Sequence, residues 1–98
     1  LGIRYLDISD KIELANNGIV LPNNITEGIV VVNALSGTGA YNSGLKKGDI
    51  IIKINNEKVY NQAYLKYILY QYEVGNTVEL YYYRDSKLQK TKVTLESQ

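Results

Sequence analysis

GIVVVNALSGTGAYNSGLKKGDIIIKINNEKV, residues 28–59, reads as strand, irregular connection, tight turn, strand and hairpin. Ile29, Val30, Val31 and Val32 form one β-branched run, and Ile50, Ile51, Ile52 and Ile54 form a second. Short runs of this kind, bounded by turn residues, suit strands buried on both faces. Gly37, Gly39, Gly44 and Gly48 lie between them among Ser, Asn and Lys. Gly48, just after Lys46-Lys47, is placed to take a positive φ so that the chain reverses into the second strand. Leu45 sits in a polar context and is expected to plug the core between the strands. Asn55-Asn56 predicts a two-residue turn, with Glu57 to Val59 returning.

Downstream, Asn61 to Glu73 is the best predicted helix. Leu65, Ile68, Leu69 and Tyr72 recur at i, i+3, i+4 and i+7, and Asn61 is a suitable cap. Tyr64, Tyr67 and Tyr70 lie off that apolar face and read as a solvated surface of amphipathic side chains. Thr77 to Arg84 and Leu88 to Leu95 predict a hairpin about Asp85-Ser86-Lys87. Val78, Leu80 and Tyr82 would share its inner face, with Tyr81 and Tyr83 exposed on the other. Upstream, Leu1 to Ile8 reads as a loop running into a strand, with Ile3 and Tyr5 on one face and Arg4 and Leu6 on the other. Ser9 to Asn17 predicts a short helix, with Asp10 and Glu13 at capping-box spacing and Gly18 as its stop. Residues 35–44 are expected to be loop, with one helical turn near Ala40 to Ser43.

Composition removes several function classes. The 98 residues suit one domain, 1–98, with one modest core. The chain holds no His and no Cys, which excludes a Ser-His-Asp triad, a Cys-His dyad, a disulfide framework and a His-based metal site within it. Its acids are scattered, so no catalytic residue, metal site or cofactor is expected. A net charge of +1 argues against nucleic acid as a partner. No apolar run approaches the ~20 residues that span a bilayer, so no direct membrane insertion by this chain is expected.

Gly44-Leu45-Lys46-Lys47-Gly48-Asp49-Ile50-Ile51 followed by Ile54-Asn55-Asn56 resembles the A-G-L-x-x-G-D-x-I-x-x-x-N-G signature of bacterial PDZ domains. The nearest likeness is to those of HtrA/DegP-type serine proteases. Departures are Thr38-Gly39-Ala40 where the family has Ser-Pro-Ala, Ser43 for its Ala, and Asn56 for its Gly. The likeness runs from Leu1 to about Leu95. It implies an α+β, mostly β fold: a partly open β-barrel or sandwich of five or six strands with two helices covering its ends.

The family's x-Φ-G-Φ loop binds a peptide's terminal carboxylate through backbone N–H groups, and Leu1-Gly2-Ile3 matches its last three positions. From the residues alone, Leu-Gly-Ile reads more readily as a strand start. The resemblance makes Leu1, Gly2 and Ile3 the carboxylate-binding loop. It makes Arg4, Tyr5, Leu65, Lys66 and Leu69 the groove candidates, with Ile68 and Tyr72 assigned to the core. The implied function is noncatalytic recognition of hydrophobic peptide or protein C-termini by β-augmentation.

The implied parent is a serine protease of protein quality control, with its protease domain N-terminal to this chain. Its expected location is extracytoplasmic, in a bacterial envelope or on the secreted side of a membrane, with any anchor outside this fragment. Two alternatives stand beside this reading. One is an interdomain or oligomer-assembly module, motivated by Tyr64, Tyr67, Tyr70, Tyr81 and Tyr83. The other is the PDZ domain of a C-terminal-processing or intramembrane protease.

Overall fold

A computed structural model describes residues 3–21, 24–34 and 42–95. The two β-branched runs become the neighbouring strands β2 (Ile29–Ala34) and β3 (Ile50–Ile54). Around them lie β1 (Ile3–Asp7), β4 (Glu57–Lys58), β5 (Thr77–Arg84) and β6 (Lys87–Thr94). All six belong to one sheet of order β1-β2-β3-β5-β6, with β4 pairing with β3 off that path. Every pairing is antiparallel, as in Leu6 opposite Val30, Ile29 opposite Ile51 and Ile51 opposite Tyr82. The register of β1 on β2 slips between Arg4 and Tyr5, which leaves Val32 as an extra residue on β2.

The sheet is packed on both faces; alternation along β2 separates them, and the register shift between Ile51 and Lys53 brings Ile54 to the face of Ile51. Ile29, Val31, Ile51 and Ile54 turn one way, toward Val78, Leu80, Tyr82, Val93 and the helix α2 (Gln62–Leu69), whose Leu65 and Ile68 complete that core. Val30 and Ile50 turn the other way, toward Ile8, Ile19 and Leu14 of the helix α1 (Lys11–Asn16). Leu45 is buried in the first core, as its place in a polar connection predicts. Burying a side chain of this size contributes roughly 1.5–3 kcal/mol, so the doubly covered strands β2 and β3 carry much of the stability.

Local signals set the helix ends. Gly18, at φ +72°, closes α1 with its N–H to the Ala15 carbonyl and the Ile19 N–H to that of Leu14. That bond pattern, with Leu14 and Ile19 in one apolar cluster, is a Schellman stop. The expected Asp10 capping box does not form, since Asp10 makes no side-chain cap bond and α1 starts at Lys11. Asn61 caps α2 by accepting the Tyr64 N–H at 3.1 Å. The helix ends at Leu69, four residues short of the Glu73 expected from periodicity. There the chain tightens: Gln71 and Tyr72 donate to Ile68 and Leu69, three residues back, and Asn76 Oδ1 takes the Glu73 N–H.

The β5–β6 turn is also shorter than expected. Asp85 and Ser86 both have positive φ, a type I′ pattern, and Lys87 already belongs to β6. Tyr81 and Tyr83 are half-buried rather than exposed: Lys53 and Lys90 lie over the Tyr81 ring, and Tyr83 packs on the second core.

One ion pair ties the glycine-rich turn to the hairpin. Asp49, 1% exposed, accepts from Arg84 Nε at 2.8 Å, from Arg84 Nη2 at 2.6 Å and from the Lys46 N–H at 2.8 Å. Arg84 Nη2 also donates to the Gly44 carbonyl at 2.7 Å. Hydrogen bonding to Asp49 raises the Arg84 pKa above its ordinary value, against the lowering effect of burial. Just before β2, Gly28 adopts φ +135°, and a Cβ there would sit 2.8 Å from the Ile51 carbonyl oxygen. That contact is with backbone and cannot be relieved by a side-chain rotation.

Two measurements test these constraints. Arg84→Ala is expected to lower unfolding free energy by about 2–3 kcal/mol in urea titration. This lies below the ~3–5 kcal/mol of a fully buried pair, because the Arg84 side chain is 33% exposed. Arg84→Lys is expected to fall between wild type and Ala, keeping the charge without the planar fork. Gly28→Ala is expected to cost about 1–3 kcal/mol from its backbone conformation alone, seen as a lower thermal midpoint.

Candidate functional site between β1 and α2

The sheet has two lateral edges, and they are built differently. On β6, Lys87, Lys90 and Lys92 are exposed. The Lys92 carbonyl is taken by Ser43 Oγ at 2.9 Å, and Thr91 Oγ1 donates to the Ser43 carbonyl at 3.0 Å. Lysines and a covering loop are common protections of a sheet edge. Among the described residues, strand β1, at the opposite end, pairs only with β2.

Beside β1, half-buried apolar side chains come from both the strand and the helix. Ile3 and Tyr5 of β1, Leu69 of α2 and Tyr72 just after it pack against the first core. Leu65 and Ile68 lie beneath them, each 1% exposed. Of the groove candidates, Leu65 is therefore in the floor, Tyr5 and Leu69 are at the half-buried level, and Arg4 and Lys66 point to solvent. Tyr72 is held in place by Asn55, whose Nδ2 donates to its hydroxyl at 2.9 Å. Asn55 also exchanges main-chain and side-chain bonds with Glu79, which fixes the β3–β4 turn beneath α2. Of the proposed carboxylate-binding loop, Ile3 pairs with Ala34, and Leu1 and Gly2 lie outside the described residues.

Asp7 closes the far end of this flank. Its Oδ1 accepts the Gln62 N–H at 2.7 Å, and its Oδ2 accepts from Gln62 Nε2 at 3.3 Å. The carboxylate thus satisfies an N-terminal donor of α2 that Asn61 does not reach. The sequence reading assigned no role to Asp7 or Gln62. The available signal was alternation: Ile3, Tyr5 and Asp7 share one face, and a charge in third place on an apolar face needs a partner.

A recess of about 840 Å³ lies elsewhere, under the β5–β6 turn, lined in part by Val20, Lys46, Lys47, Asp49 and Arg84. The strands that border it, β3 and β5, are paired on both sides, and Asp49 and Arg84 already engage each other. It offers an extended chain no strand edge. The β1–α2 flank combines a strand that is paired on one side, among the described residues, with half-buried apolar side chains.

Comparison with known proteins agrees with this fold. The PDZ domain family matches residues 1–95. The chain is 37% identical over 95 residues to the serine protease Do-like HtrA of Lactococcus lactis subsp. lactis, covering 97% of this chain and 23% of that protein. It is 34% identical over 98 residues to a probable periplasmic serine endoprotease DegP-like of Marinomonas sp., covering 99% and 20%. Among solved structures, the HtrA3 PDZ domain bound to a phage-derived ligand (FGRWV) superposes with a TM-score of 0.75 at 18% identity, covering 96% of this chain and 81% of that one. The chain spans 23% and 20% of the length of these two curated relatives, less than a quarter of either. With its fold, its signature turn and its relatives in agreement, the chain belongs to the PDZ domain family, as a domain of the type carried by HtrA and DegP serine proteases.

Proposed function

We propose that this domain binds the hydrophobic C-termini of polypeptides by adding them as a strand to β1. The observation that carries the reading is the one-sided β1 edge beside half-buried Ile3, Tyr5 and Leu69. Main-chain hydrogen bonds to β1 give affinity that is blind to sequence, and the apolar side chains select the terminal residue. The backbone N–H groups of Leu1, Gly2 and Ile3 hold the terminal carboxylate, by the family likeness. The HtrA3 PDZ domain, of the same fold, is bound to a phage-derived ligand (FGRWV), which supports peptide binding as the function.

The parent chain, in this reading, is an extracytoplasmic serine protease whose catalytic domain precedes this one, and the domain delivers or senses substrate for it. The periplasmic description of the Marinomonas relative supports that location. With no His, this chain supplies no triad of its own.

A second reading, an interdomain or assembly surface, draws on the outer tyrosines. The Tyr60 and Tyr64 rings stand 4.7 Å apart, and Tyr67 and Tyr70 are 65% and 86% exposed. These side chains lie off the apolar side of α2, so the two readings separate experimentally.

Titration of the chain with peptides of identical sequence, ending in a free carboxylate or an amide, tests the first reading. Amidation is expected to abolish measurable binding, and equal binding of both forms would remove the carboxylate assignment. Leu69→Ala is expected to weaken the free-acid peptide about tenfold, equivalent to ~1.4 kcal/mol. Tyr67→Ser is expected to leave the affinity within about twofold, in the range of an energetically neutral surface position. A concentration-dependent oligomer in light scattering, without peptide binding, would favour the second reading.

A further inference from the structure

The Asp7 carboxylate lies at the end of β1 away from its amino terminus. Among the described residues the ion pairs are Lys58–Glu27, Arg84–Asp49 and Lys90–Glu79, and none includes Asp7. Its two hydrogen-bond partners are both neutral groups of Gln62. We propose that Asp7 is a specificity determinant of the peptide site, favouring Lys or Arg four residues before the peptide's C-terminus. This rests on the β-augmentation reading above.

The register follows from the length of β1 and the direction the carboxylate imposes. A peptide whose carboxylate is held at the amino end of β1 runs back toward Asp7, and so lies antiparallel to the strand. Residues directly opposite in an antiparallel pair project side chains to the same face, about 4.5–5.5 Å apart at Cβ. Strand β1 comprises the five residues Ile3 to Asp7. With the terminal peptide residue opposite Ile3, the residue two before it meets Tyr5 and the residue four before it meets Asp7. At about 3.4 Å per residue, Asp7 stands ~14 Å from the anion-binding end.

The site would then be electrically polarised, with donors for an anion at one end and a carboxylate at the other. The chemistry at Asp7 allows a cation to enter. Oδ1 is committed to the Gln62 main chain at 2.7 Å and holds α2 in place. Oδ2 receives only the Gln62 side-chain amide, at 3.3 Å. An ammonium or guanidinium makes a shorter, charge-assisted bond of ~2.7–2.9 Å and can displace that amide while leaving the helix anchor intact.

The test uses three peptides that share an apolar C-terminal residue and differ only four positions upstream, carrying Lys, Gln or Glu. Fluorescence anisotropy of the chain with each is expected to rank them Lys, Gln, Glu. Adjacent members should differ about 2- to 5-fold, the range of an exposed ion pair. Asp7→Asn keeps an acceptor for the Gln62 N–H, removes the charge, and is expected to make the three peptides equal. A measurement without any variant runs in parallel: raising salt from about 0.05 M to about 0.5 M is expected to shrink the Lys-to-Gln ratio toward one. Peptides that bind without ranking, a ranking that persists in Asp7→Asn, or a ratio indifferent to salt would each overturn the role of Asp7. Failure of all three peptides to bind would instead overturn the β-augmentation reading itself.

Discussion

The buried Asp49 carboxylate organises the domain's most irregular segment. Three donors converge on it, two from Arg84 and one from the Lys46 main chain, and Arg84 reaches on to the Gly44 carbonyl. Asp49 also lends its own carbonyl to Val31, while Gly48 donates to the Val31 carbonyl. The turn is therefore stitched to β2 by backbone and to β5 by side chain. Leu45 is carried into the first core by the same segment. A buried charge pair contributes little net stability compared with an apolar pair of the same shape, but losing one partner is expensive. The pair ties the turn that carries Leu45 and leads into β3 to the end of β5.

What the sequence made legible is local. The β-branched runs of β2 and β3, the Gly18 stop and the Asn61 cap all depend on neighbours within a few positions, and each appears in the structure. The polar contacts that close the fold are not local. Asp49 meets Arg84 across 35 positions, Asn55 meets Glu79 across 24, and Asp7 meets Gln62 across 55. No spacing rule links such partners until the strand register is known. The end of α2 was misjudged for a related reason. Periodicity continues through Tyr72, but the Tyr72 hydroxyl is held by Asn55 and the backbone tightens to meet it.

The site was legible to the same depth. Alternation on β1 put Ile3 and Tyr5 together, and both border the first core. On α2, periodicity assigned Leu65 and Leu69 alike, yet one is floor and the other half-exposed. Successive helical positions turn by about 100°, so four residues return only near the starting direction, leaving a residual rotation of ~40°. That residual separates a core residue from a surface-accessible one, and only the seating of the helix on the sheet decides which is which.

The asymmetry of the sheet's two margins reaches beyond a single molecule. End-to-end growth of a β structure needs a donor rim and an acceptor rim on every subunit. Among the described residues β1 is paired on one side, while β6 is studded with lysines and crossed at Ser43. A copy docking its own β6 against another's β1 would have to strip that cover. In the proposed reading the domain is a socket, and among the described residues its other margin offers no matching plug.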